Sequence, residues 1–232
     1  MKLFAVINGD IIGSTKLTEV SRRNYIKSIK KLSSQLLKQQ KILGIKGQFE
    51  IYRGDSFQGV TSKPEKALRI LLLLRSYSRM ISISDTRSRP TTLPFARDIT
   101  DIRVSVGIGE INKLGTNLME SDGDAFHKSG RLIDSMKKSG LNLAIDTPWP
   151  EINEEFAVSW GLLDSIVSKW SSHQAEVVYY SLQGNSQVDI ASKVKASPPA
   201  INQRLKSASW HTIEKMLNYI EKTLQDQVKS TK

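Results

Sequence analysis

Cysteine is absent from the 232 residues, which removes disulfide frameworks, Cys-ligated zinc, iron–sulfur clusters and thiol catalysis together and fits a reducing compartment. Long hydrophobic runs are absent as well. None exceeds five residues, as at 3–7 and 70–74, against the roughly 20 that a membrane span needs, and the first apolar stretch stops at Asn8, too early for a signal peptide. Acidic residues are in short supply, with 23 Asp+Glu against 34 Lys+Arg. No Gly-x-Gly-x-x-Gly or P-loop spacing follows a β-prone stretch, which disfavours a doubly wound nucleotide fold. These absences point to a cytoplasmic protein with no membrane partner.

What is present supports one large or two small domains, since 39% hydrophobic content supplies a core for each. The charge is uneven: residues 1–148 carry the whole +11 and residues 149–232 are neutral. Arg22, Arg23, Lys27, Lys30, Lys31, Lys38 and Lys41 are interleaved with Ile26, Ile29, Leu32 and Leu36 at helical spacing. That pattern predicts an amphipathic helix with a basic outer face, which either meets an anion or is simply solvated.

Along the chain, residues 3–8 read as a strand, and Gly9-Asp10-Ile11-Ile12-Gly13-Ser14-Thr15 turns into the basic helix with Ser14 or Thr15 as cap. Residues 49–53 and 56–60 alternate as a hairpin with Asp55 at its tip. Pro64 opens a helix, 84–94 is a loop, 102–109 a strand, 115–123 a second loop, 124–138 a helix and 141–145 a strand. The order predicts an α+β fold over 1–148, a ferredoxin-like antiparallel sheet backed by helices. Pro148-Trp149-Pro150 forms a short linker, and 149–232 reads as an all-helical domain.

Two carboxylates, Asp10 at a strand end and Asp55 at the hairpin tip, would be neighbours if their strands pair, and such a pair repels unless a cation intervenes. Magnesium takes one or two carboxylates and leaves its other positions to water and phosphate. The N–H groups of Ile11, Gly13, Ser14 and Thr15 would then face phosphate at a helix start. The alternative is a turn cap at Asp10 and an ordinary hairpin at Gly54-Asp55.

The stretch Gly9 through Thr15 resembles the Asp-Ile-x-Gly-Ser-Thr segment of class III nucleotide cyclases, and Arg53-Gly54-Asp55-Ser56-Phe57 resembles the central hairpin of those cyclases and of diguanylate cyclases. Gly123-Asp124-Ala125-Phe126-His127-Lys128-Ser129-Gly130-Arg131-Leu132 resembles their Gly-x-x-Val-Asn-x-Ala-x-Arg-Leu helix. The resemblance implies a nucleotide-cyclase-like domain in which Asp10 and Asp55 hold Mg2+ or Mn2+ and Arg131 contacts the transferring phosphate of a nucleotide. His127 stands where the family has Asn, Ile51 where purine-reading members have Lys, and Glu120 where an acidic base-reading residue would lie. The whole chain also resembles the SatD family, through the motifs at 8–14, 52–59 and 121–131 and a helical tail.

In the second part, Gly184 ends one helix, Ser186 caps another, and Ser197-Pro198 opens a third. Ile190, Ala191, Val194, Ile201 and Leu205 have the spacing that packs two helices across a short turn. The segment resembles the helix-turn-helix of response regulators and sigma-factor region four. Pro199, Asn202, Gln203 and Lys206 then face outward, and with Arg204 they form a candidate DNA-binding set. The alternative is a trihelical protein-binding module. The leading expectation is therefore a homodimeric DNA-binding transcriptional regulator with a nucleotide- and metal-sensing domain. Its rival is an active metal-dependent nucleotidyl cyclase or related phosphoryl-transfer enzyme. A protein-binding scaffold comes third.

Overall fold

The computed structural model describes residues 2–52, 55–81 and 100–231, the side chain of Lys16 excepted. The expected loop at 84–94 and the Arg53-Gly54 turn lie outside the described residues. The elements are β1 (Leu3–Ile11), α1 (Glu19–Lys38), α2 (Gln40–Leu43), β2 (Glu50–Tyr52), β3 (Ser56–Thr61), α3 (Ala67–Met80), β4 (Ile102–Glu110), α4 (Asp124–Ser139), β5 (Leu143–Asp146), α5 (Pro150–Val167), α6 (Ser172–Leu182), α7 (Gln187–Val194), α8 (Pro198–Ser207) and α9 (Trp210–Ser230). The fold is mixed α+β, with one five-stranded sheet in the order β2-β3-β1-β4-β5.

The sheet is not wholly antiparallel as expected. β1 runs antiparallel to both β3 and β4, and β2 antiparallel to β3, but β5 lies parallel to β4. The reason is α4, which carries the chain back across the sheet before β5 begins, as a crossover between parallel strands requires. The basic helix also begins later than expected. Gly13 takes a left-handed φ of 69°, a single 3-10 turn follows at Ser14–Lys16, and α1 starts only at Glu19, capped by Thr18, whose side chain accepts from the N–H of Ser21.

Successive residues of β1 serve opposite faces. Ala5, Ile7 and Ile11 join Val104, Val106 and Ile108 in a buried apolar cluster with Tyr25, Ile29, Leu32 and Leu36 of α1 and most of α3. Val6 packs instead with Val60, Leu118 and Ala125, beside Phe4 and Phe126, under α4. α3 is buried from Ala67 to Arg79 with the exception of half-buried Arg69, because the sheet covers one flank and α6 another. The run of five apolar residues at 70–74 is thus a helix enclosed by protein.

The same apolar cluster continues without a break into the helical part, through Trp160, Trp170, Val178, Ile190, Ile201, Trp210 and Leu217. Polar contacts fasten the two parts as well. Glu221 of α9 accepts from Lys66 Nζ and Arg69 Nε, each at 2.6 Å. Arg75 of α3, with no exposed side chain, pairs with Asp101 and with Asp164 of α5, while Arg79 donates to Asp101 and to the carbonyls of Ser168 and Trp170. Deleting one partner from such a buried set costs about 3–5 kcal/mol, because the other charges stay buried and uncompensated.

Candidate functional site

The site builds from the register of β1. Asp10 stands opposite Ser56 on one side and Arg103 on the other. The N–H of Ile11 donates to the carbonyl of Asp55 at 3.2 Å, so the main chains at the two candidate metal ligands touch at one end of the sheet. Their side chains have different surroundings. Asp10 faces Arg103 Nη1 at 3.4 Å and Lys137 Nζ at 3.4 Å, two cations that no motif in the sequence singles out. Asp55 accepts a 2.6 Å bond from Ser14 Oγ, and among the described residues its other oxygen has a 3.4 Å contact with Ser56 Oγ.

The loop after β1 is partly committed. Ile11 and Ile12 already donate their N–H groups, to the carbonyls of Asp55 and Asp101, so neither points to an open phosphate position. Ser14 is buried, whereas Gly13 and Thr15 are exposed. The carbonyl of Ser14 accepts from Arg22 Nη2 at 3.0 Å, and the buried Arg22 Nε has no hydrogen-bond partner among the described residues. A buried N–H of a guanidinium without an acceptor is costly in a finished structure and favours an anion beside it.

The second resemblance-derived group lies elsewhere on the same face. Arg131 is exposed on α4, and together with Lys128 it acts electrostatically on Asp146 of β5. Asp146 is level with Gly107 on β4, four residues beyond Arg103, or about 13 Å further along the strand. Within one chain Arg131 therefore belongs to the β5 end of the face, while Lys137, nearly two helical turns later, attends Asp10. His127 is also exposed and places Nε2 at 3.0 Å from Asp122. Glu120 is exposed in the short 3-10 turn 118–120. The chain thus holds two half-sets, Asp10 with Asp55 and Arg131 with His127, without joining them.

Between the half-sets runs a polar row whose members Asn8, Gln58 and Ser129 come one each from the motifs at 8–14, 52–59 and 121–131, which do not disclose that they meet. Asn8 Oδ1 accepts from Gln58 Nε2 at 2.7 Å, Asn8 Nδ2 donates to Ser129 Oγ at 3.0 Å, and Ser105 Oγ donates to the Ser129 carbonyl at 2.8 Å. This buried network locks α4 over β1 and β4. At the open edge of the sheet a groove of about 690 Å3 lies against β2, lined by Lys30, Ser33, Glu50, Ile51, Tyr52 and Asn117 among others. Its volume falls within the range of small-molecule sites, roughly 300–1,000 Å3.

The helical part presents the other candidate set. Ser186 and Ser197 cap α7 and α8, the turn between them passes through Lys195 at a left-handed φ of 52°, and Ile190, Ala191, Ile201 and Leu205 are buried. Pro199, Asn202, Gln203 and Lys206 are exposed on α8, with Arg204 half-buried. Among the described residues no group of three or more His, Cys, Asp or Glu side chains could hold a metal by itself, and no helix is long and apolar enough to cross a membrane.

No protein-family model and no curated protein matches the chain. Among solved structures it is similar to a bacterial light-regulated adenylyl cyclase, at 17% identity over 62% of this chain and 74% of that one, with a TM-score of 0.39. It is also similar to the non-canonical dimeric guanylyl cyclase domain of the RhoGC fusion protein from the aquatic fungus Blastocladiella emersonii, at 19% identity over 58% and 74%, TM-score 0.37. A third is the guanylate cyclase domain of RhGC from Catenaria anguillulae in complex with GTP, at 19% identity over 58% and 73%, TM-score 0.36.

Proposed function

We propose that the chain binds a nucleoside triphosphate together with its divalent cation at the Asp10–Asp55 end of the sheet, as a metal-dependent nucleotidyl cyclase or related phosphoryl-transfer enzyme. The observation that carries the reading is the charge arrangement: Asp10 is balanced by two cations, Arg103 and Lys137, at contacts of 3.4 Å. Charge-assisted bonds of this type normally close to about 2.7–2.9 Å, so the group is neutralised without being clamped. A metal–nucleotide complex brings both signs at once. Its cation suits Asp10 and the weakly engaged Oδ1 of Asp55, hard oxygen donors of the kind Mg2+ or Mn2+ takes. Its phosphates suit Arg103, Lys137 and the unpartnered Arg22 Nε.

When bound, such a cation would neutralise phosphate charge and polarise the attacked phosphorus. The chain's own residues orient the phosphates and exclude water at the Ser14 turn, while Gly13 and Thr15 line the open side. The half-set of Arg131 and His127, with Glu120 as base-reading acid, completes the site from a second copy, and a homodimer follows from that division. The four strands β1 to β4 taken alone run in the order 2-3-1-4, all antiparallel, which supports a ferredoxin-like palm over 1–148 with β5 added beside it. The SatD resemblance fits the same reading, since two of its motifs contain Asp10 and Asp55.

Calorimetric titration of ATP, GTP, CTP and UTP with magnesium, followed by product analysis, tests the proposal. Cation-dependent binding that is lost in Asp10→Asn and Asp55→Asn is expected. Binding that needs no cation, or that survives both substitutions, would overturn it.

A second reading is favoured by α8. Its buried Ile201 and Leu205 leave Pro199, Asn202, Gln203 and Lys206 outward, and Asn, Gln and Lys are side-chain types that read base edges or phosphate. On this reading the helical part, 149–232, is a helix-turn-helix domain of a transcriptional regulator whose sheet domain senses the nucleotide. Selection of bound duplexes from a random pool gives a consensus that Asn202→Ala/Gln203→Ala erases; recovery of no consensus sinks it.

A further inference from the structure

From 20 to 49 the chain contains eight Lys and Arg residues and no Asp or Glu. Folded, that stretch comprises nearly all of α1, then α2 and the segment leading to β2, and Arg23, Lys27, Lys30, Lys31, Lys38, Lys41 and Lys46 are all exposed. The one acid on α1 is Glu19, which pairs with Arg23 at 2.9 Å. None of the ion pairs among the described residues involves Lys27, Lys30, Lys31, Lys38, Lys41 or Lys46. Lys63 adds another cation at the end of α2, with Nζ on the carbonyls of Lys41 and Ile42.

A solvated helix face usually interleaves charges of both signs, because like charges three or four residues apart cost about 0.2–0.5 kcal/mol per pair. Here Lys27 lies three and four residues from Lys30 and Lys31 with no acid to relieve the repulsion. An anion would relieve it. The face is a convex helix surface, so it suits an extended polyanion and not a small ligand.

Its position names the occupant. Gln35 lies on the same row of α1, between Lys31 and Lys38, and accepts a 3.0 Å hydrogen bond from Tyr179 of α6. Next to it, Tyr180 carries Lys193 of α7 over its ring at 5.9 Å. The basic row of α1 therefore runs directly into the α6–α8 unit, where Lys193, Lys195, Arg204 and Lys206 continue it, while residues 149–232 as a whole are neutral and leave most of the phosphate-neutralising charge to α1. We infer that the exposed cations of α1 form a sequence-independent binding surface for the phosphodiester backbone of double-stranded DNA. The inference deepens the second reading above and rests on it for the choice of anion. An α1 of 20 residues extends about 30 Å, a length over which a duplex offers a charge every 1.7 Å or so. Across α1 and α2 the large exposed apolar groups are Val20, before the basic row, and Ile42 of α2, beyond it, too few to insert into lipid.

The test measures affinity for a labelled mixed-sequence 30-base-pair duplex as a function of salt, on the full chain, on Lys27→Gln/Lys30→Gln/Lys31→Gln, and on Asn202→Ala/Gln203→Ala. Removing three phosphate contacts should flatten the slope of log K against log salt by about 2–3, with at least a tenfold loss of affinity at moderate salt. The α8 variant should keep the full slope. The substituted lysines are exposed, so an unchanged thermal melt confirms folding. Duplex binding with the same slope in the α1 variant would overturn this proposal and leave the α8 reading standing. No duplex binding by the full chain at low salt would overturn both. Capture by phosphatidylserine vesicles, lost in the α1 variant, with no duplex binding would assign the face to lipid instead.

Discussion

Asp10 of β1 and Arg103 of β4 face each other across one rung of the sheet, both side chains about 85% buried, with Arg103 Nη1 held 3.4 Å from Asp10 Oδ1. If this pair exists to be exchanged for a metal–nucleotide complex, Arg103→Ala has two opposite effects. It leaves Asp10 less neutralised, so Mn2+ alone binds more tightly than to the parent chain. It removes a phosphate partner, so the triphosphate binds roughly tenfold to a hundredfold more weakly, as expected for a charged hydrogen bond of about 1.5–3 kcal/mol. Parallel titrations with Mn2+ and with the Mn2+–nucleotide complex check both arms. A purely structural pair would change stability and neither affinity.

Arg75 makes the corresponding test on the scaffold. Its guanidinium is fully buried between Asp101 and Asp164, and the carbonyl of Asp101 in turn receives the N–H of Ile12 beside the candidate site. Arg75→Ala should lower unfolding free energy by about 3–5 kcal/mol, whereas Arg75→Met/Asp164→Asn, which keeps the Arg79–Asp101 pair, should recover most of the loss, because well-packed neutral groups can replace a buried ion pair. Urea unfolding of both variants decides it. A small loss in Arg75→Ala would mean that water already reaches the cluster.

Why the sequence discloses some of this and not the rest depends on how far each contact reaches along the chain. Alternation at 102–109 and the Gly54-Asp55 turn are local signals, and they are enough to anticipate β4, the hairpin strands and the element order. The caps at Ser186 and Ser197 are local too, and both appear where expected. The parallel placement of β5 depends on where α4 crosses, which no periodicity records. Lys137 reaches Asp10 from 127 residues away, and it is followed at once by Lys138, which is exposed and makes no ion pair among the described residues, so nothing local distinguishes it. The start of α1 misleads because Ser14 and Thr15 are both good caps by residue type, while the left-handed Gly13 and the 3-10 turn delay the helix to Thr18. The unbroken core between the sheet and α5–α9 is hidden for the same reason as Lys137. Its fasteners, Arg69 with Glu221 and Arg75 with Asp164, are separated by 152 and 89 residues.

Asp146 gives a pH-dependent prediction. Burial raises its pKa above the ordinary carboxylate value, and Lys128 and Arg131 only partly offset that. A carboxyl whose folded pKa is raised contributes stability that is fully present below its unfolded pKa and is lost as pH rises through the folded value. The charged form is therefore the destabilised one at neutral pH. Asp146→Asn should be more stable than the parent chain at pH 7, with the advantage shrinking as pH falls toward the ordinary aspartate range. Thermal melts of the pair between pH 3.5 and 7.5 measure the difference. A stability gap that widens toward acid would show that Lys128 and Arg131, not burial, govern the group.

Gly107 sets how closely α4 can lie on the sheet. A Cβ there would come within 2.4 Å of the Ala125 carbonyl oxygen and of the Ser129 nitrogen, both backbone atoms that no rotamer change can move aside. Gly107→Ala must therefore lift α4 from β4, at an overpacking cost of about 1–3 kcal/mol. The lift also strains the Asn8–Ser129 bond and carries Lys137 away from Asp10, since all three depend on the same helix position. Nucleotide affinity should fall along with stability, even though residue 107 touches neither Asp10 nor Asp55. Gly130→Ala is the matched control. It lies on the same helix, a Cβ there meets nothing within 4 Å, and Ala favours a helix interior over Gly by roughly 1 kcal/mol, so it should stabilise without changing binding. Equal affinities for the two variants would separate the position of α4 from the site and remove Lys137 from it.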